Sequence, residues 1–404
     1  MPTVRCYVGV WRRRVGIQGS SRLAQLPEAA RLMDSRYEIK DTSQILTPAL
    51  IVFREILEEN LDRMIRLAGS PDRLRPHCKT HKMREVIALQ LARGIARHKA
   101  STFAEAEMLA RCGVKDVFLS YSLVGPNIAR AVIFRETFPD VTFSVTADHE
   151  QPIAALGDAM QRAGKSVEVL LDIDSGQRRT GVPAVGMRAR ELYGRIVETP
   201  GLVAGGLHLY DGQNHQRSLA SRRSAVLACW KPVDALRNEL VNQGWPVPRI
   251  VAGGTASFPV YASIDDPLIQ CSPGTCVFSD IGYGEGFPDL EFTPAAALLT
   301  RVISRTTACR MTLDLGYKAV ASDPPAGDRL RFPDLPDAKE VLQNEEHLVL
   351  ETASAEEFEP GDELLALPQH ICPTSALHKQ ATVIAAGEIV GHWSVAARDR
   401  QLEI

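Results

Sequence analysis

The sequence predicts an α/β fold: a (β/α)8 TIM-type barrel followed by a smaller β-rich domain. Three observations carry this prediction. Eight short strand-like segments alternate with helix-like stretches between residues 73 and 278. Several of the segments, Val167 to Ile173 among them, are apolar nearly throughout, as parallel strands buried on both faces must be. Near residue 295 the alternation stops, and short strand-like runs separated by turn residues take its place. An open doubly wound sheet shares the alternation and is the alternative architecture.

The elements follow in order. Residues 53–68 place Phe53, Ile56, Leu57, Leu61, Met64, Ile65 and Ala68 on one helical face, with Glu55, Glu58, Glu59, Asp62, Arg63 and Arg66 on the other. Strands are expected at 73–79, 97–102, 115–121, 141–147, 167–174, 202–210, 249–254 and 268–278. Helices are expected near 83–93, 103–112, 126–138, 148–163, 186–198 and 217–243. Thr102 and Glu105 form a capping-box pattern before the second of these, and Asp148 is a cap for the fourth, with Pro152 in its first turn. Beyond 295, strand-like runs at 298–304, 309–320, 347–352 and 363–367 are divided by Asp323-Pro324-Pro325 and Glu359-Pro360-Gly361-Asp362. The expected division is an extension over 1–40, a barrel over 41–294 and a β-rich domain over 295–404, joined by a strand near 42–50.

Composition narrows the function classes. With 45% hydrophobic and 24% charged residues the chain reads as an ordinary globular protein. A formal net charge of −3 lacks the basic surplus of a nucleic-acid binder. No apolar run reaches the ~18 residues of a membrane span. Eight scattered cysteines without a CxxC pair point to reduced thiols and a cytoplasmic setting. Arg5, Arg12, Arg13, Arg14 and Arg22 all precede the first acidic residue, Glu28. That start suits a transit peptide, a disordered extension, or translation from Met33.

Five clusters carry chemistry. Arg75-Pro76-His77-Cys78-Lys79-Thr80-His81-Lys82 lies at the end of the first strand, on the rim where barrel active sites form. A lysine among other cations can become a Schiff-base nucleophile, although a solvated basic turn has the same composition. Gly253-Gly254-Thr255-Ala256-Ser257 follows the strand at 249–254; it fits a phosphate cradle or a tight turn. Asp172, Asp174, Arg178 and Arg179 close the strand at 167–174 as cofactor contacts or as a structural ion pair. In Leu207-His208-Leu209-Tyr210-Asp211-Gly212-Gln213-Asn214-His215, period two points His208 and Tyr210 the same way. His215 is either an acid–base group or an ordinary loop histidine. Finally, His370 and Cys372, read as sharing one face of an extended segment, suit zinc but are too few for a closed structural site.

Taken in order and spacing, these motifs resemble the D-threonine aldolase / metal-activated D-serine dehydratase family over residues 40–402. Members of that family are fold-type III enzymes of pyridoxal 5′-phosphate (PLP), related to alanine racemase. The RPHCKTHK run is the most specific mark; Asp174-x-Gly-x-x-Arg179-x-Gly181, GLHLYDG, the Gly-Gly-Thr turn, HICPT and the closing GHWSVAAR match as well. The resemblance implies that Lys79 holds PLP as a Schiff base. It also implies that Gly253, Gly254 and Thr255 hold the phosphate, Arg179 lies near the pyridine ring and Tyr210 sits beside the cofactor. His370 and Cys372 would bind a divalent cation, Zn or Mn, near the substrate's β-hydroxyl. Lys79, His81 and His215 are the candidate catalytic residues. The implied activity is a lyase on small D-β-hydroxy amino acids, as an aldolase giving glycine and an aldehyde or as a dehydratase giving pyruvate and ammonia. Cys372 resembles the dehydratases; Tyr210-x-Gly-x-x-His215 resembles the aldolases, which is the expectation adopted. A racemase and a non-catalytic PLP-binding protein are the remaining alternatives, and a homodimer is expected.

Overall fold

The computed structural model describes residues 35–404, so the Arg-rich segment lies outside the described residues. Two compact units emerge. One comprises Ile56–Ala295 with Trp393–Ile404; the other comprises the described residues through Glu55 with Ala296–His392.

In the first unit, seven strands pair in parallel, each with the next: β2 (Arg97–Ala100), β3 (Asp116–Ser122), β4 (Thr142–Ala147), β5 (Val167–Asp174), β7 (Leu202–Tyr210), β8 (Ile250–Ala252) and β9 (Ile269–Cys271). A two-residue strand, β6 (Val182–Pro183), pairs with the end of β5. The residues before Lys79 supply the missing stave. Leu74 bridges to Cys271 and His77 to Lys99, both in parallel. The Arg75 N–H donates to the Cys271 carbonyl at 2.8 Å, and the Lys99 N–H donates to that of Pro76 at 2.9 Å.

The expected strand over 73–79 is therefore a pair of isolated bridges. Pro76 has no N–H for a continuous ladder, and the chain turns at once, with Lys82 N–H donating to the Cys78 carbonyl at 2.8 Å. The expected strand over 268–278 likewise stops at Cys271, ahead of Pro273, and continues as a 3-10 turn over Thr275–Val277.

Helices at Arg54–Ala68, Arg84–Ala92, Phe103–Arg111, Pro126–Thr137, Glu150–Arg162, Arg188–Glu198 and Leu219–Asn242 fall within two residues of the sequence reading. Thr102 Oγ1 accepts the Glu105 N–H as expected. Asp148 is not the cap of its helix. The His149 ring accepts the Gln151 N–H, and Asp148 instead accepts the Gly181 N–H at 2.8 Å. No helix among the described residues is long and apolar enough to cross a membrane.

The barrel interior is layered. Phe118, Leu170 and Val251, from β3, β5 and β8, form one buried cluster. Arg75, fully buried, makes two 2.7 Å bonds to Asp116 and a third to Gln270. Arg75→Met would leave a largely enclosed carboxylate with the more distant Arg97 guanidinium, 3.8 Å away, as its remaining ion-pair partner. It is expected to destabilise the fold by about 3–5 kcal/mol, read in a chemical denaturation curve.

The second unit is built on strands β1 (Ala49–Phe53), β10 (Ala296–Thr307), β11 (Arg310–Leu313), β12 (Leu330–Arg331), β13 (Lys339–Gln343), β14 (Leu348–Glu351), β15 (Glu363–Pro368), β16 (Gln380–Ala385) and β17 (Glu388–Ser394). The pairings among β1 and β10 to β15 are antiparallel, whereas β1 runs parallel to β16. Residues 35–40, expected in an extension, are tied into this unit. Tyr37 packs edge-on against Phe53, and the Lys40 N–H donates to the Gly387 carbonyl. The last twelve residues, expected with the β-rich domain, belong to the barrel unit, where Arg130 donates to the Ile404 carbonyl at 2.6 Å.

Candidate active site

The register of the parallel sheet builds the site. Asp172 lies opposite His208 and Asp174 opposite Tyr210, so alternate residues of β5 and β7 reach the barrel interior side by side. His77 bridges Lys99 on the next stave. Beneath this layer the Phe118 ring meets His208 edge-on at 5.2 Å.

Tyr210 is the centre of a cationic ring of side chains. The Lys79 and Lys99 amines lie 6.0 Å and 5.9 Å from its ring centroid, and the Arg179 guanidinium lies 4.7 Å away. Two glycines make room for it. A Cβ on Gly212 would stand 2.6 Å from the Tyr210 hydroxyl, and one on Gly254 would stand 3.0 Å from its ring. That close approach explains glycine at both positions. Asp174 does not pair with an arginine; its carboxylate accepts the Gly176 and Arg178 N–H groups, shaping the loop that carries Arg179.

Lys99, His208 and Asp172 form a continuous buried chain. Their relative exposures are 3%, 5% and 6%. His208 Nδ1 is 2.6 Å from Asp172 and its Nε2 is 2.9 Å from Lys99 Nζ. Burial, then the charge of Lys79, pushes the Lys99 amine down to about 7. Burial, then Lys99, lowers His208. Burial opposes the Asp172 charge, but His208 outweighs it and the carboxyl stays below its usual range. Burial and the Lys79 charge hold His77 far below its ordinary value, and His77 Nδ1 accepts the Lys79 N–H.

The Gly-Gly-Thr turn is arranged differently from the simple cradle read in the sequence. The Gly253 N–H donates to the Leu209 carbonyl and that of Gly254 to Ser257 Oγ. Thr255 Oγ1 accepts the N–H groups of Gly274 and Thr275. The turns after β8 and β9 are thus laced together. Ser257 also donates to Asp211, whose carboxyl burial pushes upward.

His81 lies in the core, fully buried. Its Nδ1 accepts the Met83 N–H, its ring meets Phe278 edge-on, and burial drives it down to about 3. His215 is exposed on the loop that follows Tyr210. The structure brings Lys79, Tyr210 and Arg179 together, and places His81 in packing instead of around Tyr210.

Three participants escaped the sequence reading. Lys99 was legible only as a lysine inside a strand expected to be buried on both faces. Ser272 carries no motif; it is 4% exposed and its hydroxyl has no hydrogen-bond partner among the described residues. Gln270, two residues earlier, reaches into the interior to Arg75, so strand alternation sends Ser272 the same way. Asp323 is the third.

The fit to PLP can be judged from these residues. A nucleophile-bearing amine, surrounding cations, an aromatic face, glycine-lined turns and an unsatisfied buried hydroxyl fit an anionic, planar carbonyl compound.

In the second unit, His370 and Cys372 do not lie on an extended segment. His370 is the N-cap and Cys372 stands in the first turn of helix Ile371–Leu377. The break in the strand pattern follows from β15 ending at Pro368. Asp323 lies 2.5 Å from His370 Nδ1. Burial disfavours charge on His370, but Cys372, then Asp323, outweigh it and push the imidazole up to about 9. An imidazole and a thiol, with a carboxylate on the ring's far nitrogen, are a donor set that suits a borderline-soft divalent cation. His77, Cys78 and Glu105 also converge in the barrel unit, but Lys82 is already paired with Glu105 there and occupies the cation's place.

Comparison with known proteins gives concordant results. Residues 54–280 match the alanine racemase N-terminal domain and residues 295–384 match a serine dehydratase domain. D-threonine aldolase of Arthrobacter sp is 29% identical over 88% of this chain and 93% of its own. D-threo-3-hydroxyaspartate dehydratase of Delftia sp. is 27% identical over 86% and 96%. The crystal structure of D-threonine aldolase from Filomicrobium marinum superposes with a TM-score of 0.80 at 27% identity, covering 88% and 95%.

Proposed function

Since the chain belongs to the alanine racemase-like family of PLP-dependent lyases, we propose that it cleaves small D-β-hydroxy amino acids in the retro-aldol direction, giving glycine and an aldehyde. The observation that carries this reading is the cluster around Tyr210, where Lys79, Arg179 and Lys99 face one aromatic ring.

In this reading Lys79 holds PLP through its Nζ, Arg179 and Tyr210 flank the ring, and the turn at Gly253, Gly254 and Thr255 carries the phosphate through the hydroxyl hydrogen of Thr255, the two glycine N–H groups being already donated within the protein. Ser272 offers its free hydroxyl to a polar edge. PLP, when bound, supplies an electron sink for charge developing at the substrate's Cα. His215, exposed on the loop that follows Tyr210, takes the proton of the β-hydroxyl. The wholly buried His81 is assigned to packing of the Lys79 turn. His370 and Cys372 hold a divalent cation, which when bound supplies Lewis acidity toward an oxygen ligand. Asp323 orients the imidazole. A homodimer working in the cytoplasm fits the reading.

The thiol donor Cys372 supports a second reading, dehydration of D-serine-like substrates to a keto acid and ammonia. Product analysis separates the two. Incubation with D-threonine is expected to yield glycine and acetaldehyde. Pyruvate from D-serine with no glycine from D-threonine would reverse the assignment.

A further inference from the structure

We propose that Lys99 is a second working amine of this site, a proton store for Lys79 held in place by the Asp172–His208 pair. The inference deepens the reading of Lys79 as the cofactor lysine and rests on it.

The geometry is that of a relay. Asp172 accepts from His208 Nδ1, which leaves Nε2 as an acceptor for Lys99. His208 therefore fixes the amine without neutralising it. A structural lysine would be expected to meet a carboxylate directly, because a buried cation without one is costly. Here an imidazole stands between them. Packing does not ask for lysine either, since the neighbouring strand places Phe118 opposite it. Both amines lie about 6 Å from the centroid of one ring, that of Tyr210, and Lys79 is the charge that acts most strongly on Lys99.

The charged groups facing Lys99 come from every side. They are Lys79, His77 and Arg75 from the stave that closes the barrel, Asp172 and Arg179 from β5 and its loop, and His208 from β7. Only Asp172 is negative. The amine's displacement to about 7 follows from burial and then from Lys79. Lys99 can therefore both hold and release a proton near neutral pH. In the step proposed, a proton moves from Lys99 Nζ to Lys79 Nζ when Lys79 is released for turnover. The neutral Lys99 keeps an N–H toward His208, and the proton returns when Lys79 is engaged again. No other reactant is needed.

Two measurements test it. In full-length protein labelled with [13Cε]lysine, one resonance absent from Lys99→Arg is expected to titrate near pH 7. Its midpoint should rise by roughly one unit or more in Lys79→Met, as removal of a nearby like charge requires. A Lys99 midpoint at the ordinary lysine value, or one indifferent to Lys79→Met, overturns the proposal. In the PLP-loaded enzyme, Lys99→Arg keeps a cation but cannot release its proton. It is expected to fold and to retain the Lys79-linked absorbance. Its kcat should fall about 100-fold or more with little change in KM, and the neutral limb of the pH profile should disappear. A variant turning over within threefold of the parent, with the same profile, refutes the relay. Should the parent take up no PLP, the functional reading fails, while the titration still decides whether the two amines are coupled.

Discussion

Lys79→Ala protein is expected to lose the covalent attachment of PLP and at least about 10³-fold of its activity, within the range that loss of a nucleophile costs. The amine has no ready substitute. Lys82 is engaged by Glu105 and by the Ala397 carbonyl at 3.3 Å. Lys99 is fixed to His208 within the barrel. The absorbance of the linked cofactor and a single-turnover assay measure the two losses separately. The fold should survive, because Lys79 is half-buried and its replacement leaves no buried charge unpaired. A Lys79→Ala protein that kept both linkage and activity would show that another residue carries the cofactor.

Complete removal of divalent metal is expected to suppress catalysis by roughly 10²-fold or more, the scale of several kcal/mol supplied by a Lewis acid. His370→Ala and Cys372→Ala should reproduce the loss, because two protein donors leave little affinity when one is deleted. Asp323→Asn should act more gently, weakening metal affinity about 10–100-fold through the imidazole it orients. Activity in titrated metal after exhaustive chelation reports all three. Undiminished turnover of the metal-free protein would remove His370 and Cys372 from the chemistry.

Much of this architecture is written locally. Helix positions follow from 3.6-residue apolar spacing, and the parallel strands follow from short runs that are apolar on both faces. The motifs, through the family resemblance they carry, singled out Lys79, His81, His215, Arg179, Tyr210, the Gly-Gly-Thr turn, His370 and Cys372 as candidates. Local rules also misled in definite ways. They extended a strand through Pro76, placed His370 and Cys372 on extended backbone, and gave Asp148 a cap that His149 provides. In each case a proline or a competing long-range partner decided.

The cationic run around Lys79 shows where the division falls. By itself the sequence determined that a lysine stands among cations at the end of a barrel stave, because periodicity and spacing are properties of neighbours in the chain. Only the tertiary structure decided which distant groups face it. Lys99, His208 and Asp172 are separated by 109 and 36 residues; the register of β5 against β7 sets Asp172 beside His208 at 2.6 Å, and the curl of the sheet brings Lys99 of β2 within 2.9 Å of it. Ser272 gains meaning only as a buried hydroxyl without a partner, and Asp323 only from its approach to His370. Register, burial and electrostatic coupling arise between chain segments, and no local pattern encodes them.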